Sequence, residues 1–222
     1  RSVSHFAERH GPIIIVALGE SIVSIGIGVA SLPISWPIIV ASLLGLAVSG
    51  LLWWSYFDVT SLAVEHAFEE ATGARQIKIA RNCYSFIHLP MVIGIVMLSL
   101  GLKKILSYVG DGNHHRLVDP LYGWPLVALF GGAALYLLAL VAFKAYATRS
   151  VTVPRVVTAD VLIALLPVVW HIPALATLGV LTAVLLAMIG YEMVRYGRPR
   201  DEIRHGHPWA YPSCTAAVPN HL

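Results

Sequence analysis

A carboxylate stands near the middle of the first apolar stretch of this chain, where Glu20 is the only ionisable residue between Gly11 and Val29. A carboxylate at the centre of a bilayer costs roughly 2.5–3.5 kcal/mol to insert, so Glu20 must be protonated, paired or reached by water. A group whose proton occupancy depends on hydration or on a neighbour suits a proton- or cation-coupled carrier. Alternatively, a protonated Glu20 only holds the bundle together through a hydrogen bond across helices, which contributes about 0.6–2 kcal/mol. We favour the first interpretation, since Ser, Asn or Gln would join helices at lower cost.

The helical spacing around Glu20 separates a polar side from an apolar side. At about 100° per residue, small and polar residues gather on one side and branched apolar residues on the other. We expect the first side to face protein or water and the second side to face lipid. The first side comprises Ala17, Glu20, Ser21, Ser24, Gly28 and Ser31, and the second comprises Ile14, Ile15, Leu18, Ile22, Ile25, Val29 and Leu32.

Ionisable residues also flank the second and third apolar stretches. Asp58 ends the second and Arg81 precedes the third, so we expect both at similar depth, where an ion pair would offset the cost of burying them. His88 follows Arg81 by seven residues, or about 10 Å, and shares a helical face with Arg81 and Ser85. His88 either takes part in the polar site or, as a neutral side chain, only hydrogen-bonds a neighbour. Pro90 removes a backbone donor just beyond His88 and predicts a distortion there.

These groups form a graded series from the membrane boundary to its centre. We expect the Glu20 side of the first helix to face the His88 side of the third. The candidate residues for transport or for a polar core are Glu20, His88, Asp58, Arg81, Glu8, Arg9 and Ser24.

The pattern predicts neither a catalytic nor a metal site. Ser24 has no histidine near it in sequence, as a nucleophile would need, and His88 is the only deep histidine besides His171 at the opposite face. Cys83 and Cys214 are far apart and match neither a disulfide framework nor a metal motif. We therefore expect a protein that is not an enzyme and that uses no cofactor or metal. No basic stripe for nucleic acid is present either.

The elements that must position these residues are membrane helices. The chain has 222 residues, is 57% hydrophobic and only 12% charged, and has a mean hydropathy of +0.74, which predicts an all-α, polytopic transmembrane bundle in a lipid bilayer. Small residues at 131–134 predict close helix contact. Residues 197–222 should form a disordered cytoplasmic tail. Within residues 1–196, the six apolar segments are 11–32, 36–58, 82–102, 124–147, 156–172 and 174–194.

The fifth segment is only marginally long enough to cross a hydrocarbon core of about 30 Å. Because Ile172 and Pro173 alone join it to the sixth, a re-entrant pair is an alternative. If all six cross, twelve cations lie on the side of both termini and three, Lys103, Lys104 and Arg116, lie on the other. The positive-inside rule then predicts that both termini are cytoplasmic.

Four motifs, in order, resemble the bacterial low temperature requirement A family of membrane proteins. They are ERHGPIIIVALGESIVSIG at 8–26, LLWWSYFD at 51–58, ARNCYSFIHLPMVIGIV at 80–96 and PLYGWPLVALFGGAALYLLALVAF at 120–143. The resemblance implies a multi-pass protein of the bacterial inner membrane, named for growth at low temperature. It also implies that the motif positions are Glu8, Arg9, Gly11, Leu18, Gly19, Glu20, Ser21, Trp53, Trp54, Asp58, Arg81, His88 and Pro90.

The resemblance has one departure, because family members usually carry a preceding membrane half with its own acidic motif. The chain is therefore expected to be the second part of a longer bundle, with that half as a partner. The first functional expectation is a transporter or channel-like protein for a small ion or solute, with Glu20 as the proton- or cation-responsive site. The alternative is a non-transporting structural or cold-stress membrane protein whose polar residues hold helices together.

Overall fold

The computed structural model describes residues 11–30, 32–58, 60–110 and 119–195, and within them it is helical with no strand. The predicted all-α class is confirmed. Glu8, Arg9 and the predicted tail at 197–222 lie outside the described residues.

Eight α-helices and one π-helical turn make up the described chain. They are α1 (Gly11–Val29), α2 (Trp36–Phe57), α3 (Thr60–Glu69), α4 (Gly73–Arg81), the π-helical turn (Asn82–Ile87), α5 (His88–Gly110), α6 (Trp124–Thr148), α7 (Val153–Val169) and α8 (Ala174–Arg195). The stretch from α4 to α5 is one continuous helix of 38 residues, so the apolar segment predicted at 82–102 is the middle of a longer element.

Within the described residues, five helices are long and apolar enough to cross a membrane: α1, α2 with α3, α4 with α5, α6, and α8. The helix α7 has 17 residues, or roughly 25 Å at 1.5 Å per residue, and is shorter than these five. At its far end the chain turns back into α8, and the Ala174 amide donates to the Asp119 carbonyl at 3.3 Å. The architecture is that of an integral, polytopic membrane protein.

The helix α6 lies at the centre of the bundle. Its most apolar window is 72% buried, against 39–44% for the other candidate spans. Gly132 allows this burial, because a Cβ atom at that position would lie 2.6 Å from the Gly94 carbonyl oxygen of α5. The close helix contact predicted from the small residues at 131–134 is therefore confirmed at Gly132, where two backbones touch.

Contacts between helices define two ends of the bundle. At one end, the Asn82 amide donates to the Tyr146 hydroxyl at 2.6 Å and Arg75 donates to the Ala147 carbonyl at 3.4 Å. We refer to this end, where Gly11, Phe57 and the 75–83 and 143–155 segments lie, as the charged end. At the other end, the Tyr108 hydroxyl donates to the Pro120 carbonyl at 3.1 Å.

Candidate functional site

His88 lies inside the bundle near the charged end, within a cluster of aromatic rings. The residue is only 3% exposed. The Tyr84 ring stacks on it at 5.6 Å between centroids, and the Phe143 ring meets it edge-on at 4.9 Å. Its Nε2 atom lies 3.2 Å from the Tyr56 hydroxyl, and its Nδ1 atom lies 3.0 Å from the Cys83 carbonyl oxygen.

The partners of His88 determine its tautomer. A carbonyl oxygen can only accept, so Nδ1 carries a proton and donates to Cys83. In the neutral ring Nε2 is then an acceptor, and the Tyr56 hydroxyl donates to it. Both nitrogens are satisfied inside the protein, so burial leaves no polar atom of the ring without a bond.

The π-helical turn presents His88 to the bundle interior. It spans Asn82–Ile87 and ends where α5 begins, so the distortion predicted beside Pro90 takes this form. Pro90 has no backbone N–H and cannot donate to the carbonyl four residues before it. Because a π turn places more residues in each turn than an α-helix, Arg81 and Ser85 are exposed while His88 is buried. The expectation that these three residues share one face is therefore wrong.

A cavity of about 240 Å³ adjoins the aromatic cluster at the charged end. Its lining includes Tyr56, Phe57 and Tyr84 from the aromatic cluster, together with Ser61 and Glu65 of α3. It also touches the beginning of α1, where Ile15 is 51% exposed. The cavity therefore reaches the surface of the described part of the chain.

Glu20 lies at the centre of α1 and its side chain is on an exposed face. The Ser24 hydroxyl, one turn further on, donates to its Oε1 atom at 3.2 Å. Ser24 itself is 5% exposed, so the pair sits at the edge of the buried face of α1. The buried face comprises Ile14, Ala17, Leu18, Ser21, Ser24, Ile25 and Gly28.

This burial corrects the orientation expected for α1. Ser21 hydrogen-bonds Ser99 of α5 at 2.8 Å, which puts Glu20 level with Leu98. His88 lies ten residues before Leu98, or about 15 Å nearer the charged end. The expectation that Glu20 faces His88 is therefore wrong, because the Ser21–Ser99 contact sets His88 level with the beginning of α1 rather than with its centre. The side of α1 that was expected to face lipid is also partly buried, since Ile14, Leu18 and Ile25 pack inside the protein.

The predicted ion pair between Asp58 and Arg81 is not formed. Arg81 is exposed, and its Nε atom donates to the side-chain oxygen of Asn82 at 3.2 Å. Asp58 is 7% exposed and caps the end of α2, where its backbone N–H donates to the Trp54 carbonyl at 3.0 Å. The two residues were expected at a similar depth, but Arg81 lies at the surface and Asp58 lies inside the bundle. Their side chains therefore do not pair.

A different ion pair, which the sequence analysis did not predict, lies at the charged end. The Arg155 guanidinium donates from two nitrogens to both oxygens of Glu192, at 2.9 and 3.0 Å. A third nitrogen donates to the Thr60 hydroxyl at 2.7 Å, and that hydroxyl donates to the Ser55 carbonyl at 3.1 Å. Both charged residues are at most 6% exposed. This network joins α7 and α8 to the junction of α2 and α3.

One feature of the sequence could have predicted the Arg155–Glu192 pair. Arg155 begins one arm of a tight hairpin and Glu192 ends the other, so antiparallel packing brings them to the same end. Arg155 is one of the twelve cations that the positive-inside rule places on the side of both termini. Asp160, the acid of α7, is exposed.

Replacing Tyr56 with Phe tests the bond to His88. We expect Tyr56→Phe to lower the free energy of unfolding by about 1–2 kcal/mol, because Nε2 of a buried ring loses its donor. Tyr146→Phe is the matched control: it also removes a hydroxyl that makes a hydrogen bond, but Tyr146 is 42% exposed and water can replace it. Thermal unfolding of both variants in detergent measures the difference. Equal effects would contradict the assigned hydrogen bond.

The comparisons with known proteins agree with the motifs. The model of the family described as bacterial low temperature requirement A protein (LtrA) matches residues 1–190. A search of curated proteins and a search of solved structures gave no match. The match covers all eight described helices except the end of α8. The chain therefore belongs to the bacterial low temperature requirement A (LtrA) family.

Proposed function

We propose that this chain is a transport or channel-like permeation protein for a small ion or solute, with Glu20 as a proton- or cation-responsive group. The observation that carries the proposal is the position of Glu20 on the exposed face at the centre of α1, with Ser24 donating to its carboxyl group. One hydroxyl does not offset the cost of a carboxylate in hydrocarbon. We propose that water or a cation reaches the Glu20 carboxyl group during permeation.

The environment of His88 supports the same proposal. A buried histidine bonded to a tyrosine, next to a cavity that reaches the surface, supplies polar groups at a second depth. We further propose that the charged end faces the cytoplasm of the inner membrane, because the cations of α4 and of the 144–155 segment lie there. The polar groups are not proposed as a catalytic site, since Ser24 and His88 lie at different depths.

Proton flux into proteoliposomes tests the role of Glu20. With a pH-sensitive dye inside the vesicles and a potassium diffusion potential, we expect Glu20→Gln to abolish the protein-dependent flux, because Gln cannot exchange a proton. Glu20→Asp should retain part of it. Asp160→Asn, which removes an exposed acid of α7, is the control and should leave the flux unchanged. An undiminished flux in Glu20→Gln would contradict the proposal.

A second candidate function is structural, and specific contacts favour it. Polar bonds join different helices at Ser21 with Ser99, at Tyr136 with the Leu52 carbonyl at 3.0 Å, and at Arg155 with Glu192. These contacts are sufficient if the only role of the polar residues is to hold the helices together. In that case no solute gradient depends on the protein, and Glu20→Gln changes its thermal stability or assembly alone.

A further inference from the structure

An apolar groove lies between α7 and α8 at the charged end of the bundle, where α7 begins and α8 ends. Its volume is about 380 Å³. Met188 and Thr158 are buried and form its floor, whereas Val157 and Tyr191 are more than half exposed and form its rim. The groove therefore opens to the surface of the described part of the chain. The residues that line it are Val153, Pro154, Val157, Thr158, Met188 and Tyr191.

The lining favours an apolar occupant that carries one hydrogen-bonding group. None of the described lining side chains is charged, so electrostatic attraction does not select the occupant. The Thr158 hydroxyl already donates to the Pro154 carbonyl at 2.8 Å, which leaves the hydroxyl of Tyr191 at the rim. Apolar walls and one hydroxyl suit a tryptophan side chain, which buries roughly 150–250 Å² and has a single N–H donor.

A part of this chain with that chemistry follows α8, which ends one turn beyond Tyr191. From position 197 onward, Trp209 and Tyr211 are the only Trp, Tyr or Phe residues, and they lie in the sequence PWAYP at 208–212. We refer to 208–212 as the aromatic segment. Its two prolines restrict the backbone angle φ, so the segment loses less conformational entropy when it binds.

The chain between α8 and the aromatic segment is long enough to reach the groove. Trp209 follows Arg195, the end of α8, by 14 residues, and 14 residues span up to roughly 46 Å when extended. Tyr191 lies only about 6 Å from the end of α8. The entropic cost of closing such a loop grows only with the logarithm of its length. The covalent connection also raises the local concentration of the segment to about the millimolar range.

We propose that the aromatic segment binds in this groove and ties the residues after α8 to the α7–α8 hairpin. The Trp209 ring occupies the groove, and its indole N–H donates to the Tyr191 hydroxyl. A phospholipid acyl chain is the main competitor in a bilayer, but it has no donor for that hydroxyl. A second copy of the chain is not tethered to the groove. The proposal does not depend on permeation or on Glu20, so the failure of either leaves the other intact.

Photo-cross-linking of the full chain in nanodiscs tests the proposal. With p-benzoylphenylalanine in place of Tyr211, we expect irradiation to attach the aromatic segment to residues 153–158 or 188–191 of the same chain. Mass spectrometry of the cross-linked peptides identifies the site. Trp209→Ala should abolish the product, because the ring that occupies the groove is lost. This substitution lies outside all eight described helices.

Two substitutions on α7 distinguish the groove from the rest of the helix surface. Val157→Trp fills the groove with a side chain of α7 itself and should also abolish the product. Ile163→Trp is the matched control, since Ile163 is 48% exposed, close to the 53% of Val157, but lies outside the lining. This variant should give the product in unchanged yield.

Several results would overturn the inference. One is that irradiation attaches the segment to lipid, to helices other than α7 and α8, or to a second chain, which a band of twice the mass on a denaturing gel reveals. Another is that the product persists in Val157→Trp or in Trp209→Ala. The last is that no product forms in the chain that carries the probe alone.

Discussion

Arg155→Ala is expected to lower the free energy of unfolding by about 3–5 kcal/mol, the largest effect of any single substitution considered for this chain. The substitution removes a guanidinium that bonds both oxygens of Glu192 and the Thr60 hydroxyl. It leaves the Glu192 carboxylate buried and without its countercharge, and the cost of such a charge dominates the loss. Chemical unfolding in mixed micelles, followed by circular dichroism, measures the change.

Two further variants separate the charge effect from the loss of packing. The double substitution Arg155→Met with Glu192→Leu removes both charges at similar volume and should recover most of the stability, since an apolar pair often replaces a buried ion pair without cost. Asp160→Asn removes an exposed acid from the same helix and should change the free energy by less than about 0.5 kcal/mol. If the double variant is as unstable as Arg155→Ala, the uncompensated charge is not the cause.

Gly132→Ala is expected to lower the free energy of unfolding by about 2–3 kcal/mol, although it adds one methyl group. The new Cβ atom would lie 2.6 Å from the Gly94 carbonyl oxygen and 2.6 Å from the Leu98 nitrogen. Both are backbone atoms of α5 and cannot rotate away, so α5 and α6 must separate along their contact. The same unfolding experiment measures the loss.

The adjacent glycine supplies a control on the same helix. A Cβ atom at Gly131 would meet only side-chain atoms, at 3.9 and 4.0 Å, which is ordinary contact. Gly131→Ala should therefore leave stability unchanged or raise it by about 0.5–1 kcal/mol, because Ala favours the helix more than Gly does. A loss of stability in Gly131→Ala comparable to that in Gly132→Ala would show that α6 does not pack on α5 at Gly132.

The Gly132 contact and the Arg155–Glu192 network have different consequences for function. The contact at Gly132 holds the centre of the bundle, where α6 is surrounded by other helices. The Arg155–Glu192 network lies at the charged end, where it ties the α7–α8 hairpin to the junction of α2 and α3. Because α3 also lines the cavity through Glu65, loss of this network should disturb the cavity lining before it disturbs the core.

Parts of the candidate site could be predicted from local pattern and parts could not. The polar character of His88 and the distortion near Pro90 follow from residue types that are unusual in a membrane helix. The environment of His88 does not, since Tyr56 and Phe143 come from other helices. Likewise, the spacing of Glu20 and Ser24 predicts their contact one turn apart, but it does not predict that Glu20 is exposed.

The sequence by itself determined the class of the protein: long apolar stretches must form helices in a bilayer, because only a helix satisfies every backbone group within one segment. Its motifs also determined the family. Only the tertiary structure decided which side chains meet. Arg155 and Glu192 are 37 residues apart, and the π-helical turn separates His88 from the face of Arg81. The Ser21–Ser99 contact between α1 and α5 sets Glu20 at a different level from His88. Each depends on how whole helices pack side by side, and a helical pattern contains no information on that register.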